Sequence, residues 1–356
     1  MAFLGNARPT GIGSLPHLST AAAIDAVFAC CPDLPYWPQL PRVSRREGMV
    51  EQAVGGLPGL CLPGLHMEEG HLTISQDERF FLGVEQVFQA FESGDPSVAE
   101  IPANYAHGFE PFAATVREKQ PAEAKGQIAG PVTVGMAILG EDGNPILYDE
   151  VLRDVLVKFL HLRVKWEAAR LRKAGAVPII FVDEPFLASF GTPFFNWSIP
   201  QVRECLEAVT SGTDLVGSHC CSNTDWSILL GSRIDVVSFD AFGFAQNFLA
   251  YREDVAAFLS RGGNIAWGIV PTDPDALGQL DLRTLRERLL ELVARIEPLG
   301  FKREQVLAQS LITPSCGLGS RDIETATKAL ELTRDLANGL RKDFLGIQEN
   351  SAGVTK

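Results

Sequence analysis

Short apolar segments rich in strand-forming residues recur along the chain, and several are separated by stretches with apolar residues at helical spacing. This alternation is typical of parallel βα units, and eight strands is the number that a closed barrel of such units needs. The sequence therefore predicts an α/β protein with the (β/α)₈ TIM-barrel fold. The predicted strands are residues 11–14, 34–39, 127–132, 178–183, 214–219, 235–240, 264–270 and 310–313.

Helices are predicted between the strands. Residues 19–30 begin with a Ser/Thr cap, and residues 149–174 carry apolar residues at helical spacing as far as a glycine. Residues 283–297 and 321–342 are interpreted in the same way. We expect all 356 residues to form one domain, which is within the usual length of a barrel enzyme.

Residues 41–125 are too many for one βα connection and are rich in Gly, Pro and acidic residues. We predict that this segment is elaborated over the C-terminal face of the barrel. A hairpin is expected at residues 61–75, with helices at residues 84–91 and 111–119. The tail, residues 346–356, is predicted to be frayed.

The overall charge argues against two classes of partner. The net charge is −13 and the pI is near 5.0, whereas nucleic acid and anionic membranes attract clustered Lys and Arg. No apolar run reaches the length of about 20 residues that a membrane-spanning helix needs, and no signal peptide is evident. A cytoplasmic location is therefore expected.

Seven cysteines, an odd number, do not suggest a disulfide framework in a chain of this length. Cys30, Cys31, Cys61 and Cys205 lie in apolar or helical surroundings, where a cysteine usually behaves as a small core residue. The remaining three are free to serve as thiols or metal ligands.

Reactive side chains fall where the predicted strands end, and barrel enzymes build their sites on that face. One site should therefore collect them. They are Ser14 and His17 after the first strand, Asp183 and Glu184 at the fourth, His219 to Cys221 at the fifth, Asp240 at the sixth and Cys316 after the eighth.

Imidazole and thiolate are the ligands that zinc prefers. His219 and Cys221 are two positions apart and would project to one side of an extended strand, with Cys220 directed away. Cys316 supplies a second thiol beside glycines, and Asp240 is either an oxygen ligand or an acceptor for the His219 ring. H-x-C alone is a weak signal, but the convergence of these sites predicts zinc at a catalytic position. A coordinated thiol is deprotonated, so such a site favours attack by sulfur on an alkyl donor.

Two further motifs offer substrate contacts. Asp183 or Glu184 could hold a substrate ammonium, although the N-terminus of a helix also explains acidic residues there. The turn at residues 11–17 lacks the third glycine of a dinucleotide fingerprint, but its backbone N–H groups could bind a carboxylate.

Together these motifs resemble the C-terminal catalytic domain of cobalamin-independent methionine synthase, in the uroporphyrinogen decarboxylase-like superfamily. The resemblance spans nearly the whole chain and agrees in motif order. The motifs are GIGSLPH at residues 11–17, GPVT at 130–133, VDEP at 182–185, HCC at 219–221, DVVSFD at 235–240 and PSCGLGSR at 314–321.

The resemblance implies a TIM barrel in which zinc binds homocysteine sulfur and the thiolate accepts a methyl group. Asp240 stands where the family has a ligating glutamate, and its shorter side chain puts that bond in question. By resemblance the zinc ligands are His219, Cys221, Cys316 and Asp240, the amine contact is Asp183, and the carboxylate-binding turn is Ile12, Gly13 and Ser14.

Departures from the family pattern bear on the methyl donor. A tryptophan that packs on the pterin is replaced by Ala137, a folate-protonating histidine is replaced near Val270, and a homocysteine-contacting glutamate is lost near Val43. A folate donor needs an acid at its nitrogen, whereas a methyl-corrinoid does not. The sequence therefore favours methylcobalamin or a methylated corrinoid protein as donor, as in the short "core" methionine synthases.

Three alternatives remain open at this stage. The first is a zinc methyltransferase for another small thiol, such as coenzyme M. The second is a non-catalytic protein that binds zinc or corrinoid. Porphyrin decarboxylation is the least favoured, because it gives the H-x-C motif and Cys316 no role.

Overall fold

A computed structural model of the protein describes residues 3–62 and 71–348. These residues form ten strands of two to seven residues, and most of the strand pairs are parallel. The strands are β1 Arg8–Pro9, β2 Leu60–Cys61, β3 Leu72–Ile74, β4 Glu123–Ala129, β5 Ile138–Leu139, β6 Val177–Asp183, β7 Val216–Cys220, β8 Val236–Phe239, β9 Asn264–Val270 and β10 Ser310–Pro314.

Helices follow or connect the strands. The α-helices are α1 Thr20–Cys30, α2 Met49–Val54, α3 Glu78–Ser93, α4 Phe109–Lys119, α5 Pro131–Ala137, α6 Glu150–Lys173, α7 Ile199–Thr210, α8 Ser227–Leu230, α9 Ala241–Phe248, α10 Arg252–Ser260, α11 Pro274–Gly278, α12 Leu282–Ala294, α13 Arg303–Ala308 and α14 Ile323–Leu340. Short 3-10 segments lie at Arg45–Glu47, Pro96–Ala99, Ala103–Tyr105, Ile146–Tyr148, Pro185–Ser189 and Glu297–Leu299, and a π-helical segment at Arg341–Leu345.

Seven parallel strands form one curved sheet in the order β1-β10-β9-β8-β7-β6-β4. Residues 35–39 close the gap between its two ends. The Lys125 N–H donates to the Pro35 carbonyl at 2.8 Å, and the Gln39 N–H donates to the Gly13 carbonyl at 3.1 Å. Pro35 and Pro38 have no N–H, so this eighth member pairs through isolated bridges at Tyr36 and Gln39. The predicted (β/α)₈ barrel is confirmed.

Among the predicted strands that have an observed counterpart, two differ from it by more than two residues at an end. The first, at residues 11–14, is replaced by β1 at Arg8–Pro9, and only Ser14 forms a bridge beyond it. Gly13 has a φ of +156°, which breaks the regular pairing. The third, at residues 127–132, ends at Ala129, because Pro131 is preorganised for the first turn of α5.

The predicted helices are present, with shifted ends. α1 and α6 begin one residue after the predicted caps: Ser19 accepts from the Ala22 N–H, and Asp149 accepts from the Val151 and Leu152 N–H groups. Such caps satisfy N–H groups that a helix itself leaves unpaired. α12 and α14 lie within or close to the predicted ranges.

Apolar side chains fill two regions. Inside the barrel a small cluster is formed by Leu34, Ile179, Phe181, Val236, Ala266 and Leu311. A larger cluster lies between the strands and the surrounding helices, where Phe239 stacks on Phe248 with ring centroids 4.1 Å apart. Each fully buried side chain of this size stabilises the fold by about 1.5–3 kcal/mol.

The elaborated segment contains the predicted elements. It ends earlier than residue 125, because β4 already begins at Glu123. β2 pairs antiparallel with β3, so the strands of the expected hairpin form, while residues 63–70 between them lie outside the described residues. α3 is longer than the predicted helix at 84–91, and α4 contains the one predicted at 111–119. At its start, Arg42 donates to the carbonyl of Ser320, in the loop after β10, at 3.2 Å.

Two predictions stay as they were. The single-domain organisation remains a prediction, and residues 349–356 of the predicted frayed tail lie outside the described residues.

None of the helices in the described ranges combines the length and the apolar character that a membrane crossing requires.

Candidate metal and substrate site

The parallel strands bring the predicted reactive residues to one end of the barrel. Asp183 is the last residue of β6, and His219 lies one residue before the end of β7. Cys221 directly follows β7, Asp240 directly follows β8, and Cys316 comes two residues after β10. Since all these strands run in one direction, their carboxyl ends share one face.

Three of these side chains form a compact cluster. One ligand atom from each of His219, Cys221 and Cys316 lies within 4.8 Å of the other two. His219 is buried, and both cysteines are partly buried. Cys220 points into the large apolar cluster instead, where its thiol donates to the Ser222 carbonyl at 3.4 Å. An N/S/S set of this kind suits zinc, but its role as a metal site stays a prediction.

The His219 ring is held by a residue that the sequence analysis missed. Nδ1 lies 2.9 Å from the Ser238 hydroxyl, and His219 and Ser238 are register partners in the β7–β8 ladder. The other ring nitrogen, Nε2, is buried and has no hydrogen-bond partner among the described residues. With the proton on Nδ1, the Nε2 lone pair is left for a metal. Ser238 is two positions before Asp240 on the same inward face, which is the signal that could have identified it.

The thiols of Cys221 and Cys316 are hydrogen-bonded to each other, and their pKa values move in opposite directions. The Cys221 thiol donates to Cys316, which lowers the pKa of Cys316, and the nearby His219 ring adds to this effect. The same hydrogen bond raises the pKa of Cys221. The lowered pKa of Cys316 favours its thiolate at neutral pH, and a divalent cation could replace the proton that Cys221 donates.

Asp240 lies near this cluster but is not part of it. Its carboxylate caps α9 by accepting from the Gly243 N–H at 2.7 Å, and burial raises its pKa. The Ser238 hydroxyl, and not Asp240, is the group hydrogen-bonded to the His219 ring, which corrects that interpretation. Direct ligation by Asp240 stays a prediction.

If Asp240 ligates zinc, then Asp240→Asn should lower zinc affinity by about tenfold or more, because one anionic oxygen is lost. Asparagine can still cap α9, so the melting temperature of the metal-free protein should change little. Competition with a chromogenic chelator measures the affinity. Unchanged affinity would leave Asp240 only its capping role.

The two adjacent acidic residues, Asp183 and Glu184, have different surroundings. Glu184 is fully buried and accepts from the Val132 and Thr133 N–H groups, at 2.9 and 2.7 Å, and from the Thr133 hydroxyl at 2.6 Å. It therefore stabilises the N-terminus of α5. Asp183 is 8% exposed, and its Oδ1 has no hydrogen-bond partner among the described residues. An unpaired buried carboxylate oxygen suits a ligand cation, so the amine contact stays a prediction for Asp183 alone.

The predicted carboxylate turn is attached to the loop that carries Cys316. The Ser14 hydroxyl accepts from the Gly319 N–H at 3.2 Å, and the Leu318 N–H donates to the Ser14 carbonyl at 3.0 Å. Gly13 is buried, and the Ile12 carbonyl accepts from the Lys125 ammonium at 2.7 Å. The sequence did not point to Lys125, because residue 125 was predicted to end the elaborated segment, whereas β4 begins at Glu123 and includes it.

All seven cysteines are free thiols. Cys30, Cys31 and Cys205 are buried as predicted, but Cys61 is exposed. The interpretation of Cys61 as a core residue is wrong because β2 is only two residues long and leaves that side chain on its outer side.

A family comparison identifies the chain. Residues 101–339, which are 239 of the 356 residues, match the family described as the catalytic domain of cobalamin-independent synthase. This chain belongs to that family. The matched range contains the His219, Cys221 and Cys316 cluster with Asp183 and Asp240, whereas the turn at residues 11–14 precedes it. The synthase family is one of methionine synthase-like methyltransferases, as the sequence predicted.

Solved structures resemble the chain at low identity. A Listeria monocytogenes protein described as a vitamin-B12-independent methionine synthase is 14% identical, with 90% of this chain and 85% of that chain covered and a TM-score of 0.51, which supports the shared fold. A B12-independent methionine synthase from a Shewanella species, in complex with selenomethionine, is 19% identical over 67% of this chain and 68% of that chain, with a TM-score of 0.48. A methyltransferase from Methanosarcina mazei is 16% identical over 92% and 93%, with a TM-score of 0.47. The search of curated proteins found no significant match.

The corrinoid donor is not supported by these comparisons, because the matched family is described as cobalamin-independent. The three departures that suggested it lie in different parts of the fold: Ala137 ends α5, Val270 is buried at the end of β9, and Val43 is exposed beside Arg42. A corrinoid protein partner is likewise not supported.

Proposed function

We propose that this synthase homologue transfers a methyl group to the sulfur of homocysteine at a zinc site held by His219, Cys221 and Cys316. The observation that carries the proposal is the approach of these three ligand atoms to within 4.8 Å of one another. The unpartnered Nε2 of His219 and the low pKa of the Cys316 thiol fit a soft divalent cation.

A bound zinc ion would supply the acidification that makes a substrate thiol a thiolate at neutral pH. The thiolate lone pair forms the new bond to the methyl carbon, and the bond between methyl and donor breaks with its electron pair leaving on the donor. Among the protein's own residues, Ser238 would orient the His219 ring toward the metal position.

The polar ends of homocysteine have matching groups nearby. Asp183 offers a carboxylate oxygen without a partner to an ammonium group. The backbone of Ile12, Gly13 and Ser14 forms the turn proposed for the carboxylate, and the ties from Ser14 to Leu318 and Gly319 keep it close to Cys316. Two separated polar contacts favour an amino-acid thiol over a thiol that carries only one charged end.

The proposal is tested with zinc-loaded protein, homocysteine and methyltetrahydrofolate, with methylcobalamin in a parallel assay. We expect one zinc per chain and formation of methionine, loss of both after chelation, and recovery on adding zinc. In the cobalt-substituted protein, homocysteine should change the visible spectrum whichever donor is used. Mercaptoethanesulfonate should neither be methylated nor compete at similar concentration.

Two results would contradict the proposal. Turnover that persists in protein free of metal would separate the reaction from the cluster. A cobalt spectrum that does not respond to homocysteine would mean that the metal has no position for a thiol, as in a non-catalytic binding protein.

A further inference from the structure

Lys125 is a buried cation inside the barrel. Its side chain is 1% exposed, and its ammonium donates to the Ile12 carbonyl at 2.7 Å and to Oε1 of Gln127 at 2.9 Å. It also lies 4.5 Å from the centre of the Phe181 ring. Both hydrogen-bond partners are neutral, so neither balances the charge. A buried charge with only neutral partners is costly.

Burial lowers the pKa of Lys125 to about 8, while Asp183 and then Glu167 oppose that change. The side chain therefore carries its proton at neutral pH. The lysine contributes a positive potential to the inside of the barrel, directly beneath the turn at residues 11–14.

The same turn packs closely against side chains of the barrel interior. A β-carbon added to Gly11 would overlap the Tyr36 ring, and one added to Gly13 would lie 2.5 Å from Oε1 of Gln39 and 3.0 Å from the Gln127 side chain. This packing prevents the turn from shifting toward the barrel interior. The hydrogen bond from Lys125 therefore holds the Ile12 peptide in place and polarises it. A polarised peptide with a cation behind it attracts an anion on its other side.

Asp183 provides the opposite charge at the same end of the barrel. Its Oδ1 is buried without a partner among the described residues, and Lys125 is the largest charge acting on it. A cation beneath the turn and an anion at the end of β6 together form a field that matches a zwitterion. An α-amino acid presents this pair of charges on one carbon.

We propose that Lys125 is a positioning residue that sets the affinity of the 11–14 turn for the carboxylate of the amino-acid substrate. The proposal rests on the proposed function, because it concerns how that substrate is recognised. It assigns Lys125 no contact with the reacting sulfur and no part in metal binding.

Binding of the product methionine tests this proposal without turnover. Dissociation constants are measured by calorimetry for methionine, for methylthiopropylamine, which lacks the carboxylate, and for methylthiobutyrate, which lacks the amine. In Lys125→Met, the affinity for methionine and for methylthiobutyrate should fall about tenfold relative to the affinity for methylthiopropylamine. Lys125→Gln can keep a hydrogen bond to the Ile12 carbonyl but has no charge, and it should show most of the same loss.

Lys328→Met, at an exposed position of α14, removes one positive charge far from the barrel interior and should change none of the three constants. Retained binding of methylthiopropylamine by Lys125→Met shows that the variant is folded. Equal weakening of all three ligands, or of none, would overturn the role of Lys125 while leaving the proposed function intact. Failure of the parent protein to bind methionine at all would overturn both.

Discussion

Replacing Cys316 with serine is expected to remove zinc from the protein and to reduce methyl transfer by on the order of a thousandfold, since a bound metal supplies several kcal/mol of charge stabilisation. Serine is close in size to cysteine but its hydroxyl remains protonated at neutral pH, so it is a poor zinc ligand. Metal content and the rate of methionine formation are measured on the same preparation.

Cys61→Ser is the matched control, because Cys61 is exposed and lies outside the cluster. It should keep both the metal and the rate. The Cys316→Ser protein should also retain its fold, since the thiol is only partly buried. A Cys316→Ser protein with one zinc per chain and a normal rate would remove Cys316 from the site.

Replacing Asp183 with asparagine is expected to raise the KM for homocysteine by about a hundredfold, because a charge-assisted hydrogen bond to the substrate ammonium contributes about 3 kcal/mol when it is buried. Asparagine has nearly the same shape, so kcat should fall much less than the KM rises. Steady-state kinetics over a range of homocysteine concentrations separate the two effects.

The amine-free analogue mercaptobutyrate provides the internal comparison, since its constants should be the same in the parent and in Asp183→Asn. Asp214→Asn is a suitable control, because Asp214 is exposed, pairs with Arg172 at the surface and precedes β7, at the opposite end of that strand from Cys221. If Asp183→Asn lowered kcat and left the KM unchanged, Asp183 would belong to the chemical step and not to amine binding.

Much of the barrel could be predicted from the sequence because its signals are local. β9 was predicted with correct ends, and α1 and α6 begin beside the predicted caps, since strand periodicity and capping depend on neighbouring residues. The pairing of His219 with Cys221 also follows from spacing along one extended strand. The first strand was misplaced because its bounds depend on pairing with β10, which is distant in sequence.

The candidate site also has features that the sequence predicted and features that it did not. Alternation along β7 and the order of the strands were sufficient to place His219, Cys221 and Cys316 at one end of the barrel. The sequence could not show that Ser238, rather than Asp240, is hydrogen-bonded to the His219 ring, because that depends on the register between β7 and β8.

By itself, then, the sequence determined the fold class, the family resemblance and the residue types available at the strand ends. Only the tertiary structure decided that Nε2 of His219 and Oδ1 of Asp183 are buried without hydrogen-bond partners among the described residues, and that the Lys125 ammonium has only neutral ones. The physical reason is that backbone propensity acts over a few residues. Burial and charge compensation are properties of a site assembled from strands more than a hundred residues apart.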